Sequence, residues 1–334
     1  MHGMIANALA ARTRLWVLGF LAALAPGLAR ASEAAVPEWP HARPITWIVG
    51  FPSGGTVDTQ ARMVARLLSR KTGQPVIVEN KSGASGALAL HAAAAAPADG
   101  YTLVSVAGPG FDGRDVPHLG NGLAPVALLA KGPMVLVASM ANNPPADLQA
   151  LLADMRRRPG AWSYASSGVG TPQHLAGELL NRMAGTSMLH VPYKGGAQAV
   201  GDVVSGQVPL GILGVMPLLP YIKANRLRVY AVTSATRLFG TLPQVPTMQE
   251  AGVPGYEICQ WHALAVSDKV PSARVAQLNK WINEIMVSQA MKEPMQITGA
   301  MPGEGSPADV LSFAREEDRK WRAFARSASI AVAD

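Results

Sequence analysis

The sequence predicts an α/β protein whose mostly parallel sheets are flanked by helices. Strand-like apolar runs alternate with amphipathic helical segments through most of the chain. Near the start the predicted order is strand, helix, strand, helix, strand, with strands at 45–50, 75–79 and 101–106. A βαβαβ order requires a parallel sheet with helices on its faces, because each crossover has to pack back onto the sheet.

Length and composition are the second observation. The 334 residues, 49% apolar and 15% charged, are enough for a large core and about two domains. The net charge is +7, but the positive residues are scattered, without a Lys/Arg run or interleaved aromatics. We therefore do not expect nucleic acid as a partner. Cys259 is the only cysteine, which excludes an intramolecular disulfide and a cysteine-based zinc site.

The N-terminus has the pattern of a signal peptide over residues 1–31. Arg12 and Arg14 precede an apolar run at 15–25, which is too short to span a bilayer comfortably. A Pro-Gly break follows, and Ala29-Arg30-Ala31 places small residues where a signal peptidase recognises them. We expect cleavage near Ala31 and export to the periplasm; the alternative is an uncleaved membrane anchor.

A Gly-Gly pair at a strand-to-helix junction is the most informative motif. Residues 51–58 have the sequence F-P-S-G-G-T-V-D and precede an amphipathic helix that extends to about residue 70. Glycine lets a backbone approach a ligand closely, and the first N–H groups of a helix have no internal partner, so they can point at an anion. Asp58 at the third helical position either supports the helix start or contacts the ligand.

The same device recurs in the second half of the chain. A strand predicted at 162–165 leads into the loop Ser166-Ser167-Gly168-Val169-Gly170, and a helix begins at Thr171-Pro172. Thr171 suits the N-cap, and Pro172 suits the first helical position, where its missing N–H has no cost. Two such loops that face each other would form a polar clamp for an anion.

The remaining segments predict further strands and helices. Strands are expected near Met134–Ser139, at 189–191, 208–213 and 227–233, and near Trp261–Ser267; helices are expected over 146–157, 272–289 and 307–325. Residues 108–125 are rich in glycine and proline and predict a long loop. The G-x-G-x-x-G match at 108–113 is a false positive, because no helix follows to receive a pyrophosphate.

Together these motifs resemble the Bug family of periplasmic solute-binding proteins, the receptors associated with tripartite tricarboxylate transporters. The resemblance spans residues 41–330. It is carried, in order, by Phe51-Pro52-Ser53-Gly54-Gly55 with Asp58, Gln74-Pro75-Val76, Asp99-Gly100-Tyr101, Tyr164-Ala165-Ser166, Gly170-Thr171, His174-Leu175-Ala176-Gly177-Glu178, His190-Val191-Pro192-Tyr193-Lys194-Gly195, Ala231-Val232-Thr233-Ser234 and Val245-Pro246-Thr247.

The resemblance implies a two-lobed periplasmic binding protein of type II that closes on a small carboxylate, for uptake or for sensing. Lobe one would comprise 32–134 and 262–334, and lobe two 135–261. Two crossover strands, near Met134–Ser139 and Trp261–Ser267, would join them. The expected partners are the carboxylate and the membrane subunits of a tripartite tricarboxylate transporter. We expect a monomer that binds reversibly without metal or organic cofactor.

The ligand-binding residues that the resemblance implies lie on the two glycine loops. They are Phe51, Ser53, Gly54, Gly55, Thr56 and Asp58 from the first lobe, and Ser166, Ser167, Gly168, Gly170, Thr171 and His174 from the second. Two nearby residues are ambiguous: Lys194 either neutralises a carboxylate or is merely solvated, and His190 fits a core or edge position.

Three departures from the family pattern bear on specificity. They are the segment 108–122, Pro209 where an aspartate is common, and the wholly apolar Leu213–Met216. We still expect a cleft that closes on a ligand. The departures favour a ligand whose part far from the carboxylate is less polar.

A secreted serine hydrolase that uses Ser166 with His174 is the alternative from another class. It would need an orienting acid, and none is evident near either residue in the sequence. The chain has no G-x-S-x-G elbow, no H-E-x-x-H and no Walker lysine. We therefore predict a binding protein and not an enzyme.

Overall fold

The computed structural model describes residues 39–109 and 116–327. Internal contacts divide the chain into two units, residues 1–42 and 43–334. Of the first unit only the turns at 39–42 are described, so the predicted signal peptide lies outside the described residues. Residues 110–115, which belong to the G-x-G-x-x-G match and to the divergent segment, also lie outside them.

Strands and helices alternate through the second unit. The strands are β1 (Ile45–Val49), β2 (Val76–Asn80), β3 (Thr102–Gly108), β4 (His118–Leu119), β5 (Gly122–Gly132), β6 (Met134–Ser139), β7 (Ser163–Ser166), β8 (Leu189–Pro192), β9 (Leu210–Gly214), β10 (Leu227–Val232), β11 (Gln260–Ser267) and β12 (Met301–Pro302). The helices are α1 (Thr56–Thr72), α2 (Ala87–Ala94), α3 (Leu148–Arg157), α4 (Pro172–Ala184), α5 (Gly196–Ser205), α6 (Val215–Lys223), α7 (Ser272–Met286), α8 (Gln289–Thr298) and α9 (Pro307–Ser327).

The first sheet has the strand order β12-β5-β11-β3-β1-β2, with β4 beside β5. Strand β1 pairs in parallel with both β2 and β3, so the βαβαβ prediction is confirmed. Strand β11 inserts between β3 and β5 and is antiparallel to both. The sheet is therefore mixed where the sequence predicted a mostly parallel one, because a strand from much later in the chain returns to it.

The second sheet has the order β10-β6-β9-β7-β8. Strand β7 is parallel to β8 and β9, whereas β6 is antiparallel to β9 and β10. This sheet is also mixed. Two α/β sheets with helices packed on them confirm the two-lobed fold class predicted from the sequence.

Strand β5 is the main element that the sequence analysis missed. The sequence predicts a long loop for its first residues, because Gly122 and Pro125 are poor strand formers. In the structure Pro125 lies opposite Ala265 at a shift in the β5–β11 register. A proline is tolerated at such an irregularity, since the regular ladder of hydrogen bonds is already interrupted there. Helices α5, α6 and α8 were not predicted either.

The chain passes between the sheets at two points on either side of the second sheet. Only Pro133 separates β5 in the first sheet from β6 in the second. The return lies between β10 and β11, and it includes a turn closed by Thr247 and Glu250. Thr247 N–H donates to Glu250 Oε2 at 2.8 Å, and Glu250 N–H donates to Thr247 Oγ1 at 3.1 Å, the reciprocal pair of a capping box.

Helix α9 contacts apolar cores on both sides of this passage. Near its start, Val310 and Ala314 pack in the cluster that contains Val104 and Trp261 of the first sheet. Near its end, Trp321 and Ala325 pack in the cluster formed around the second sheet. The C-terminal helix therefore joins the two sheets by packing, in addition to the two covalent passages.

Gly177 of α4 gives a test of how tightly the second core is packed. A Cβ at this position would overlap the ring of Tyr164, which is fully buried. We expect Gly177→Ala to lower the free energy of unfolding by ~1–3 kcal/mol, since a close-packed ring cannot give way. Urea unfolding followed by circular dichroism measures this.

Gly201 of α5 is the matched control. A Cβ there has no neighbour within 4 Å. Gly201→Ala should therefore stabilise the protein by ~0.5–1 kcal/mol through helix propensity alone. Equal effects of the two substitutions would contradict the packing argument.

Candidate functional site

Four of the described helices begin at one cavity, which we call the glycine-loop cavity. Its volume is about 510 Å³ including the part open to solvent. It is lined at the helix starts by Gly55 and Thr56 of α1, Pro172 and Gln173 of α4, Gly196 of α5 and Gly214 of α6. Ala107, Gln260 and His262 of the first sheet complete the wall.

None of these four helices has a side-chain cap. Their N-cap residues are Gly55, Thr171, Gly195 and Gly214, and none accepts a hydrogen bond from its own helix through a side chain. The first N–H groups of each helix therefore have no capping acceptor, and the positive ends of four helix dipoles lie around one space. No Lys, Arg, Asp or Glu is among the described residues that line it.

The first glycine loop is held by Asp58. Its carboxylate accepts from Gly54 N–H at 2.9 Å, Arg62 Nε at 3.0 Å and Asn80 Nδ2 at 2.8 Å. Burial by itself would raise the pKa of Asp58, but the hydrogen bonds from Arg62, Gly54 and Asn80 keep that pKa below its ordinary value. Gly54 has a φ of 84°, which favours glycine at this turn.

The second loop is held by a hydrogen bond in the same position, with a histidine in place of the aspartate. His174 Nδ1 accepts from Gly170 N–H at 3.1 Å, and Gly170 has a φ of 76°. Asp58 and His174 both occupy the third position of their helices, and each binds the N–H just before the N-cap. An imidazole can accept this bond only while Nδ1 is unprotonated, and burial lowers the pKa of His174 accordingly.

The hydroxyl groups of the second loop form hydrogen bonds within the protein. Ser166 Oγ is fully buried, lies 2.6 Å from His190 Nε2 and accepts from Gly168 N–H at 3.1 Å. Thr171 Oγ1 donates to Gly168 O at 2.7 Å. Thr171 is the N-cap residue of α4, as predicted, although its hydroxyl bonds to the loop and not to an N–H group of the helix.

Two hydrogen bonds connect the parts of the structure that carry the two sheets. Ser85 Oγ donates to Val169 O at 2.8 Å, and Gln173 Nε2 donates to Gln260 Oε1 at 3.2 Å. Gly195 also approaches the ring of Pro52 so closely that a Cβ would overlap it. The glycine loops thus meet across the cavity in this structure.

The residues predicted from the sequence fall into three groups. Phe51, Gly55, Thr56 and Ser167 line the cavity. Ser53 and Gly54 are exposed to solvent. The others make hydrogen bonds within the loops: Asp58, Ser166, Gly168, Gly170, Thr171 and His174.

Several cavity residues were not identified from the sequence. The start of α5 had a usable signal, because Lys194-Gly195-Gly196 repeats the glycine pair at a helix start; Lys194 itself is exposed. Gln260 and His262 had none, since they lie on alternate positions of an apolar strand. Only the return of β11 to the first sheet brings them to the cavity.

His262 is a buried part of the cavity wall and forms a hydrogen bond with Gln60. Its Nδ1 lies 2.7 Å from Gln60 Oε1, and burial lowers its pKa to about 4. His190 is stacked on His174 with ring centroids 4.0 Å apart. Burial, with a smaller effect of His174, lowers the pKa of His190 to about 3.

The described residues include no group of three His, Cys, Asp or Glu placed to hold a metal ion. No helix within 39–109 and 116–327 is long and apolar enough to cross a membrane.

Comparison with known proteins identifies the family. A family model described as the tripartite tricarboxylate transporter family receptor matches residues 60–329. The chain belongs to this family. The resemblance to Bug proteins noted from the motifs is thereby confirmed, and the chain is a solute receptor.

Solved structures of similar proteins extend this result. A protein of R. palustris, Rpa4515 with adipate, is 34% identical with a TM-score of 0.82; the match covers 88% of this chain and 99% of that one. The periplasmic binding protein BugD is 28% identical with a TM-score of 0.79, covering 88% and 99%. MatC from Rhodopseudomonas palustris with bound malate is 27% identical with a TM-score of 0.76, covering 84% and 97%.

Family membership also decides against the alternative of a serine hydrolase that uses Ser166 with His174. These receptors are binding proteins, so the chain is not an enzyme. In the structure the imidazole near Ser166 Oγ is His190, whereas His174 is engaged by Gly170 N–H. Among the described residues, Glu178 is the carboxylate near Ser166 and the two histidines. It accepts a hydrogen bond from Tyr164 OH and does not orient a histidine.

The buried neutral histidines predict acid sensitivity. The pKa of His262 is about 4 in the fold and ~6.5 in an unfolded chain, so between these values the unfolded chain binds one more proton. Stability should be complete above about pH 6.5 and fall towards pH 4, with a slope near ~1.4 kcal/mol per pH unit from this residue. Urea unfolding at pH 7.5, 6 and 5 measures the slope.

The variant His262→Asn keeps a donor for Gln60 but does not titrate in this range. Its stability should fall less steeply than that of the unaltered protein between pH 6.5 and 5. A free energy of unfolding that is the same at pH 7.5 and pH 5 in the unaltered protein would contradict the assignment.

Proposed function

We propose that this receptor binds a small carboxylate in the glycine-loop cavity and presents it to the membrane subunits of a tripartite tricarboxylate transporter. The observation that carries the proposal is the convergence of four uncapped helix starts on a space where none of the described lining residues is charged. An anion is the ligand that such a space stabilises. Adipate in Rpa4515 and malate in MatC are carboxylates, which supports the same class of ligand here.

The carboxylate is held mainly by backbone N–H groups. Thr56 and Val57 of α1 and Gly196 of α5 line the cavity within the first turns of their helices. Hydrogen bonds to an ionised group contribute roughly 1.5–3 kcal/mol each, so a few of them suffice for micromolar affinity after the cost of association. In this mechanism Asp58 and His174 act indirectly, by fixing the loops that present these groups.

Binding is coupled to closure of two lobes, comprising residues 32–134 with 262–334 and residues 135–261. The bond from Ser85 of lobe one to Val169 of lobe two then belongs to the closed form. The packing of α9 on both cores limits how far the lobes can separate. Small-angle scattering should show a smaller radius of gyration at saturation with ligand; an unchanged radius would count against closure.

The protein acts in the periplasm after removal of residues 1–31. Support comes from the charged, apolar and small-residue segments in the sequence, and from the similarity to periplasmic BugD. Edman sequencing of exported protein should begin near Ser32. Recovery of intact Met1 in a membrane fraction would favour the anchor alternative.

Gly55→Val tests the loop clamp. The φ of Gly55 is −77°, so a side chain is tolerated by the backbone, and its Cβ would lie 3.9 Å from Ala197 N and 4.0 Å from Gly196 N. The side chain should occupy the space before the N–H groups of α5 and weaken binding roughly 10- to 100-fold, the equivalent of losing one charge-assisted hydrogen bond. Calorimetry with the best acid from a thermal-shift screen of mono- and dicarboxylates measures this.

Lys194→Ala is the control, because Lys194 is exposed and does not line the cavity. It should change the affinity little. Normal binding by Gly55→Val together with loss of binding in Lys194→Ala would replace the loop clamp by a lysine contact.

A further inference from the structure

A second cavity lies behind the first and is lined by methionines. Met63 of α1, Met216 of α6, and Met291 and Met295 of α8 form part of its wall, so we call it the methionine cavity. Its volume is about 510 Å³ including the part open to solvent. It reaches Gly132 and Pro133, where the chain passes from the first sheet to the second.

The two cavities share part of their lining. Thr56, Gln260 and His262 border both. These side chains form a polar but uncharged partition, because His262 is neutral and Gln260 is bound to Gln173 across the cavity. A molecule held at the helix starts therefore faces the methionine cavity across a wall that carries no charge.

The chemistry of the methionine cavity differs from that of the first. No Lys, Arg, Asp or Glu is among its described lining residues, so it offers no partner for a second carboxylate. Methionine side chains are unbranched and polarisable, fit ligands of irregular shape and make favourable contacts with aromatic rings. Desolvating an ionised group against such a surface is costly, whereas a methyl or phenyl group gains by it.

We propose that the methionine cavity receives the apolar end of the ligand, so that the receptor selects monocarboxylates with an aliphatic or aromatic tail over short diacids. This inference rests on the proposed binding of a carboxylate at the glycine loops. It describes the other end of the ligand. The carboxylate lies at the helix starts, and an apolar tail extends past Thr56 and His262 into the methionine cavity. The apolar run Leu213–Met216, which ends at this cavity with Met216, is the sequence feature that accompanies it.

The size of the cavity sets the length of the tail. The enclosed part of the cavity is small, so only a few methylene groups can enter before the wall is reached. Each buried methylene stabilises by ~0.8 kcal/mol, about a fourfold gain in affinity.

Calorimetry on the mature protein with straight-chain monocarboxylates tests the proposal. From propanoate to octanoate the affinity should rise about fourfold per methylene over several members and then level off. Hexanoate and adipate form the decisive pair, since they differ only in a methyl or a carboxylate at the far end. Hexanoate should bind at least tenfold more tightly, and 3-phenylpropanoate should bind more tightly than malate.

Substitution of the wall locates the tail. Met216→Trp should fill the cavity at a half-buried position, so that octanoate loses at least tenfold in affinity while propanoate is unaffected. Met183→Phe is the control, because Met183 is exposed on α4 and lines neither cavity. Thermal unfolding of both variants checks that each is folded, and Met216→Leu should preserve the chain-length series if the tryptophan variant does not fold.

The outcomes separate this inference from the proposed function. If all monocarboxylates bind equally, or adipate and malate bind more tightly than hexanoate, the tail site is wrong and the carboxylate function stands. If no mono- or dicarboxylate binds at any length, the proposed function falls and this inference with it. A chain-length series that is identical in the unaltered protein and in folded Met216→Trp also overturns the placement of the tail.

Discussion

The structure depends on one constraint: four helices begin at the same cavity with their first N–H groups uncapped. Three of the four N-cap residues are glycines, and the hydroxyl of the fourth, Thr171, donates to Gly168 O. Side-chain caps would contribute about 1 kcal/mol per helix. Because these caps are absent, the first N–H groups of the four helices have no side-chain acceptor. None of the described residues that line the cavity is charged, so an anion can be bound there by backbone N–H groups alone.

The two loops that present these N–H groups are held by hydrogen bonds of the same geometry, made by a carboxylate in one loop and by an imidazole in the other. Asp58 and His174 each accept the N–H just before their helix. The carboxylate is supported by Arg62 and Asn80 and keeps its charge at any physiological pH. The imidazole has to stay neutral and is kept so by burial, which lowers the pKa of His174 against the opposing effect of Glu178. Acid should therefore affect the second loop before the first.

In the proposed mechanism the two cavities divide the recognition of a ligand between its charged end and its apolar end. At the helix starts, recognition is generic, since backbone N–H groups bind any carboxylate. Discrimination between carboxylates then falls to the wall beyond Thr56 and His262, where the methionines of α1, α6 and α8 meet.

The sequence by itself determined the α/β class, the parallel β1–β2 and β1–β3 pairs, and both glycine loops, because helix starts, turns and caps depend on residues only a few positions apart. The tertiary structure alone decided which groups meet. Strand β5 formed despite Pro125 because β11 paired with it. Ser166 contacts His190, 24 residues away, because β7 and β8 lie in parallel. Gln260 and His262 reach the cavity only through the return of β11, and strand order over such separations is set by the packing of whole sheets, which no local pattern records.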